Sequence, residues 1–325
     1  MGKPLLPPKL GSMNFQQLRI IRETMRRNYN LTEVANALFT SQSGVSKHIK
    51  DLEDELGIEL FVRRGKRLLG PTEPGQELAR IVERMLLEAG NIRQLADQFS
   101  RRDEGTLSIA TTHTQARYIL PRVVASFRES YPKVHLMLHQ GSPKEIAAML
   151  ASGEADIGVA TESLDGVAGL ASFHFYEWRH AVIVPDGHPL VGLDAVTIDE
   201  LVKYPIITYH EGYTGRAGID QTFAEAGLVP DFVLSALDSD VIKTYVELGL
   251  GVGIIAEMAF VDGREGNLIL LPGRKLFPVN IARIGLRKGH YLRGYGYRFI
   301  EQCSAELTES RIRTAISPIS QPDVE

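Results

Sequence analysis

Apolar residues recur with a helical period through the first hundred residues. Phe15, Leu18, Ile21 and Met25 share one face, with Arg19, Arg22, Arg26 and Arg27 elsewhere. Residues 28–30 break the pattern, and a short helix follows on Val34, Ala35 and Leu38. Thr40, Ser41, Gln42 and Ser43 then supply hydroxyl and amide groups suited to capping a third helix. That helix sets Val45, Ile49, Leu52 and Leu56 at i, i+4, i+7 and i+11, and Gly57 ends it. Two short helices around a tight polar turn, after a first helix, predict a helix-turn-helix. Residues 58–69 read as two short strands around Arg63-Arg64-Gly65-Lys66-Arg67, a basic wing. Thr72 and Pro74 open a long helix. Leu78, Val82, Met85, Ala89, Ile92, Ala96 and Phe99 are spaced alternately by four and three, a heptad seam. A helix over 74–99 would be roughly 39 Å long at 1.5 Å per residue. It meets no compact core visible in the sequence, so the seam points to a partner helix, although Gly90 weakens it. A surface helix packed on its own body is the alternative.

Beyond residue 105 the pattern becomes an alternation of strands and helices. Strands are predicted at 106–111, 134–139, 156–160, 180–184, 205–208, 231–235, 252–255, 268–271 and 280–286. Helices are predicted at 115–130, 143–152, 215–226 and 239–249. Such alternation predicts α/β layers with largely parallel sheets. Residues 1–12 carry three prolines, two glycines and no periodicity. They read as a disordered leader or tag before Met13.

Charge sharpens the division. The 325 residues hold 36 Lys and Arg against 40 Asp and Glu, a net of −4. Residues 13–102 are net +3 and residues 103–325 net −9. A basic head on an acidic body suits a head that touches an anion; a solvated mixed-charge surface is the plain alternative. No run approaches the roughly 18 apolar residues of a membrane span, and no secretory signal is visible. The single Cys303 excludes an internal disulfide framework, and a cytoplasmic location is expected.

Two groups of residues carry candidate chemistry. Ser41, Gln42, Ser43, Ser46, Lys47 and Lys50 lie on or near the start of the third helix, off its apolar face. They suit contacts with base edges and phosphates in a major groove of double-stranded DNA. Arg26, Arg27, Arg63, Arg64 and Lys66 can hold the backbone on either side. In the body, Thr112, Thr114 and Gln115 sit where a strand ends and a helix begins, a place suited to anions. Gly141 and Ser142 form a similar turn before one helix, and residues 212–215, with Thr214, another before the next. Thr161 ends a strand. Ordinary N-capping explains any one of these; together they suggest a small polar or anionic ligand at the carboxyl ends of the strands. Enzyme signatures are lacking: no GxSxG, P-loop or GxGxxG stands in its proper context. Gly249, Gly251 and Gly253 follow a helix. His135 and His139 share a strand face without an obvious metal companion. Cys303 lies in an amphipathic helical stretch and reads as a buried small hydrophobe.

The stretch from Phe15 to Phe61, with LTEVANALFTSQSGVSKHIKDLEDELGIELF, resembles the DNA-binding domain of LysR-type transcriptional regulators. RRGKRLLGPTEPGQEL continues the likeness into their wing and linker helix. IATTHTQARYILP, YPKVHLMLHQGSP, EADIGVATE, YPIITY, GYTGR and DVIKTYVELGLGVGIIA resemble the CysB-like subgroup, regulators of sulfur assimilation. The likeness covers about residues 13–305. It implies an N-terminal winged helix-turn-helix at 13–71 and a linker or dimerisation helix at 72–102. An α/β effector domain follows, like periplasmic binding proteins, with subdomain I at 105–172 and 281–313, subdomain II at 173–280, and a tail at 314–325.

The resemblance further implies a homotetramer, a dimer of dimers, that binds promoter DNA and meets RNA polymerase. It implies no cofactor, but an effector such as N-acetylserine, O-acetylserine, sulfate, thiosulfate or adenylyl sulfate. Thr112, Thr114, Gln115, Thr161 and Thr214 would hold it, walled by Tyr176 and Trp178. Glu211, beside the Thr214 turn, departs from an anion site; it either faces solvent or pairs with a ligand's amino group. A sulfonate or taurine regulator is the nearest alternative. A cytoplasmic solute-binding protein without DNA binding is the alternative from another class.

Overall fold

The computed structural model describes residues 13–65, 67–100, 103–271 and 276–317. The expected leader, Lys66, the last two residues of the expected linker and residues 318–325 of the expected tail lie outside them. The chain divides into two compact units, Met1–Ala96 and Asp97–Glu325.

In the first unit, α1 (Phe15–Arg26) opens on a capping box in which Asn14 accepts from the Gln17 N–H and Gln17 bonds back. The next helices are α2 (Leu31–Ala37), capped by Asn30, and α3 (Gln42–Leu56), capped by Ser41 and closed by Gly57 at φ 69°. A two-stranded wing follows, β1 (Phe61–Arg64) and β2 (Arg67–Pro71). The helix α4 then runs from Glu73 to Ser100. Gly75 lies so close to the Leu60 carbonyl that a Cβ would collide with it.

This contact locates the start of α4. Val82 is fully buried in the head's own core, with Leu78 and Leu86 packed against it. The expectation that α4 meets no core is therefore corrected, and Leu78 and Val82 are head-core residues rather than seam residues. Along the rest of the seam, Met85, Ile92 and Phe99 stay exposed, Ile92 by 67% and Phe99 by 83%. Ala89 is half-buried and Ala96 exposed.

The second unit holds two five-stranded sheets. The first contains β3 (Gly105–Thr111), β4 (Val134–Gln140), β5 (Ile157–Ala160), β6 (Leu170–Trp178) and β12 (Asn280–Arg287), in the order β4-β3-β5-β12-β6. The second contains β7 (His180–Pro185), β8 (Ile206–Tyr209), β9 (Phe232–Ala236), β10 (Val252–Ala256) and β11 (Leu268–Leu270), in the order β11-β7-β10-β8-β9. Helices α5 (Leu120–Ser130), α6 (Pro143–Ser152), α10 (Gly294–Cys303) and α11 (Glu309–Ile316) accompany the first, and α7 (Ile198–Leu201), α8 (Arg216–Glu225) and α9 (Ser239–Glu247) the second. Each sheet is mixed rather than largely parallel: β12 runs antiparallel to β5 and β6, and β7 antiparallel to β10 and β11.

Two boundaries move. The strand β6 pairs with β12 along its whole length, from Leu170 opposite Arg287 to Trp178 opposite Asn280. The chain therefore leaves the first sheet after Trp178, not at residue 173. At the other end α11 runs to Ile316 with Ile312 and Ile316 buried, so the tail does not begin at 314. Among the described residues no helix is long and apolar enough to cross a membrane.

Candidate functional site

In the head, the apolar stripe Val45, Ile49 and Leu52 is buried, which turns Gln42, Ser43, Lys47 and Lys50 outward and leaves Ser46 half-exposed. The Ser41 hydroxyl caps α3, accepting from the Gly44 N–H at 3.1 Å. The wing is anchored from below. The Glu53 carboxylate accepts from the Leu60 N–H at 2.8 Å, the Phe61 N–H at 3.3 Å and the Arg63 guanidinium at 2.6 Å. Arg63 is thus a brace of the wing, while Arg64 stands exposed beside the tip at Gly65. Arg26 pairs with Glu83 at 3.3 Å and Arg27 with Glu23 at 3.3 Å.

In the body, β3 and β5 are parallel neighbours, Thr111 standing opposite Val159. The segments that follow them, 112–115 and 161–163, therefore leave the sheet at one edge. A π-helical turn at Gln115–Ile119 leads from β3 into α5. Such turns are frequent at functional positions. Thr112, Thr114 and Gln115 are all buried, and the hydroxyls of Thr111 and Thr114 have no hydrogen-bond partner among the described residues. The Tyr176 hydroxyl donates to Gln115 Oε1, and Trp178 Nε1–H donates to Thr161 Oγ1 at 3.3 Å. Burial pushes the Tyr176 phenol well above its ordinary value, so it remains a donor.

Thr214 comes from the second sheet's side, in a turn at φ 43° before Gly215 at φ 70°. Its carbonyl accepts from His180 Nε2 at 2.9 Å. Burial holds His180 down at about 4, despite the Thr214 bond, so it is neutral at pH 7. Asn280 Nδ2 faces His180 Nδ1 at 3.4 Å. His180 opens β7 and Asn280 opens β12, so the two chain crossings between the sheets touch each other beside this turn. The Gly215 N–H donates to Glu162 Oε1.

The six residues Thr112, Thr114, Gln115, Thr161, Tyr176 and Trp178 are thus brought to one edge of the first sheet, with the Thr214 turn tied to that edge through Glu162. Gly141 and Ser142 are not available in the same way. Ser142 and Glu145 form a capping box, with Glu145 Oε2 accepting from the Ser142 N–H and hydroxyl at 2.8 Å each. A carboxylate already fills that helix start, which corrects the expectation of an anion there.

A basic winged head and a two-sheet body with a hydroxyl-rich edge narrow the identity, and family comparison decides it. Residues 100–308 match the LysR substrate binding domain, and residues 15–76 the bacterial regulatory helix-turn-helix protein, lysR family. The chain belongs to the LysR family of transcriptional regulators. The HTH-type transcriptional regulator SsuR of Burkholderia cenocepacia is 57% identical over 300 residues, covering 92% of this chain and 97% of that protein. The HTH-type transcriptional regulator Cbl of Escherichia coli K12 is 55% identical over 313 residues, covering 96% and 99%. The crystal structure of the cofactor-binding domain of the Cbl transcriptional regulator superposes with a TM-score of 0.64 at 50% identity. It spans 66% of this chain and 94% of that one. The helix-turn-helix match sets aside a solute-binding protein without a DNA-binding head.

Other residues of this LysR-family body escaped sequence reasoning. Asp240, on α9, receives the Tyr118 hydroxyl at 2.7 Å, the Arg117 Nε at 2.6 Å and Lys243 Nζ at 3.3 Å. Burial alone would raise Asp240, but the bonds from Tyr118 and His113 and the nearby Lys243 outweigh it and hold its carboxyl below the ordinary value. His113, Asp238 and Asp240 lie within metal-ligand reach of one another. Arg117 and Lys243 already neutralise Asp240, and Asp238 caps α9 through the Val241 N–H at 2.9 Å. His135 and His139 join no such group among the described residues; His139 bonds Ser108 at 3.0 Å. Glu211 is exposed and faces solvent. Burial pushes the half-buried Cys303 thiol up to about 12, the behaviour of an inert hydrophobe.

Proposed function

We propose that this LysR-family regulator controls genes of sulfur assimilation and cysteine biosynthesis. Its activity is set by a small sulfur-pathway metabolite bound between the two sheets of the body. The observation that carries this reading is the pair of buried hydroxyls of Thr111 and Thr114, unpartnered among the described residues, at the carboxyl end of β3. Buried polar groups are nearly always satisfied, so an unsatisfied pair asks for a ligand. Thr112, Thr114, Gln115, Thr161 and Thr214 hold it, and Tyr176 and Trp178 wall it. N-acetylserine, O-acetylserine, sulfate, thiosulfate and adenylyl sulfate are the candidates. The likeness to Cbl, whose matching region is named a cofactor-binding domain, supports the location.

Gln42, Ser43, Ser46, Lys47 and Lys50 read the promoter, with Arg64 and Lys66 on its backbone. Met85, Ala89, Ile92, Ala96 and Phe99 pair linker helices in a homotetramer. The protein works in the cytoplasm, beside RNA polymerase, as a regulator and not as an enzyme. Ligand closure of the body shifts the assembly between states of different DNA geometry, which requires a ligand with different affinity for the two.

A thermal-shift panel in buffer free of sulfate and phosphate tests the effector. It contains the five candidates and taurine, with wild type and Thr112→Ala. A ligand at 100 times its dissociation constant adds about 2.7 kcal/mol of stability. Stabilisation by a candidate, lost in Thr112→Ala, supports the reading. Stabilisation by taurine alone favours sulfonate genes, and a shift retained by Thr112→Ala removes the ligand from this cleft.

A further inference from the structure

The site is not uniformly suited to an anion. Glu162 follows Thr161 at the same edge of the first sheet. One oxygen, Oε1, accepts from the Gly215 N–H across the body, while Oε2 is buried and has no hydrogen-bond partner among the described residues. The other polar groups of this candidate site are neutral and mostly donate. Thr161 Oγ1 accepts from Trp178, which leaves its own O–H to donate. The Gln115 carbonyl is taken by Tyr176, which leaves the NH2 end of the amide. The hydroxyls of Thr111 and Thr114 are unpartnered among the described residues.

We infer that Glu162 reads a hydrogen-bond donor on the ligand, and that the effector is a two-ended molecule. Its anionic end meets the threonine hydroxyls and the Gln115 amide; its ammonium, amide N–H or hydroxyl end meets Glu162 Oε2. The inference rests on the cleft being the effector site. Leaving a buried carboxylate oxygen unmade is costly, and a ligand N–H or O–H is what completes it. A bare tetrahedral dianion offers only acceptors and brings like charge towards Glu162. Burial raises the Glu162 carboxyl, while the Gly215 N–H and its own backbone N–H oppose that rise.

Calorimetry on the full chain separates the two ends, with sulfate and O-acetylserine as probes. Glu162→Gln keeps the size of the side chain and an oxygen for the Gly215 N–H, but turns the Oε2 position into a donor. O-acetylserine should bind it roughly tenfold or more weakly, as expected for a lost hydrogen bond to a charged group, while sulfate binds as before or more tightly. The second measurement needs no variant: 3-acetoxypropionate, which lacks the ammonium, should bind wild type roughly tenfold or more weakly than O-acetylserine. Thr114→Ala should weaken both probes. Equal response of both probes to Glu162→Gln, or equal binding of 3-acetoxypropionate and O-acetylserine to wild type, overturns the role of Glu162 alone. A Thr114→Ala protein that binds both probes as wild type does overturns the cleft assignment itself.

Discussion

The Tyr118 hydroxyl donates to Asp240 Oδ1 over 2.7 Å, and this bond ties the two sheets of the body together. Tyr118 belongs to the π-helical turn that leaves β3 of the first sheet; Asp240 sits in the first turn of α9, on the second. Arg117 joins at 2.6 Å and Lys243 reaches the Tyr118 oxygen at 3.2 Å. The group is a clasp on the same turn that positions Thr114 and Gln115. Its state is therefore coupled to the geometry of the site.

Tyr118→Phe removes the central bond and keeps the ring. The expected cost is about 1 kcal/mol or less, since the ring is only half-buried. Amide hydrogen exchange in the first turn of α9 should quicken. Unchanged exchange there would mean that the clasp does not hold the sheets. Because Asp240 is held below its ordinary value of 3.8, its contribution is present above that pH and is lost as acid protonates it.

His180 gives a second pH dependence at milder acidity. Its folded value is about 4 against an ordinary 6.5, so the unfolded chain binds the extra proton between them. Stability from this group is complete above 6.5 and falls as pH drops towards 4, by about 3 kcal/mol over the whole window. His180→Gln keeps a donor for the Thr214 carbonyl and does not titrate. The melting temperature of wild type should therefore fall more steeply from pH 6.5 to 4 than that of the variant. Parallel curves would refute the buried neutral histidine.

The two halves of α4 should respond differently to substitution. Val82→Ala removes buried methyl groups from the head's core and should cost about 2 kcal/mol of head stability without changing the assembly. Ile92→Asp places a charge on the exposed seam. It should leave the head folded and lower the mass measured by sedimentation. An unchanged mass for Ile92→Asp would dismiss the seam.

Lys50 is exposed on the outward face of α3. If it contacts a phosphate, Lys50→Ala should weaken promoter binding and reduce the slope of log affinity against log salt by about 0.9. Weakened binding with an unchanged slope would assign Lys50 to another role.

Much of the fold was legible because periodicity reports burial directly. The stripe Val45, Ile49 and Leu52 is buried as its spacing requires, and the helix at 143–152 has the predicted bounds. The strand Leu170–Trp178 was missed. Its burial is irregular, with Phe175 and Tyr176 half-buried and His174 exposed, so neither a period of two nor a continuous apolar run stands out. Mixed sheet direction is set by β12 returning from far along the chain, which no local pattern records. At the site, the threonines were legible as helix-start hydroxyls. Glu162, Asp240 and His180 were not, because their roles come from residues 53, 122 and 34 positions away: Gly215, Tyr118 and Thr214. The turn at Gly141 and Ser142 matched the others by composition, but Glu145 three residues on had already closed it.

The central claim is that a ligand at the candidate site of the body changes how the head engages DNA. Footprinting of the full chain on a sulfur-assimilation promoter, with and without O-acetylserine or another stabilising candidate, tests it most directly, using wild type and Thr112→Ala. The account expects protection by both proteins, with a ligand-dependent change in its extent for wild type and none for Thr112→Ala. Protection that the ligand leaves untouched in wild type, or alters equally in Thr112→Ala, would contradict it.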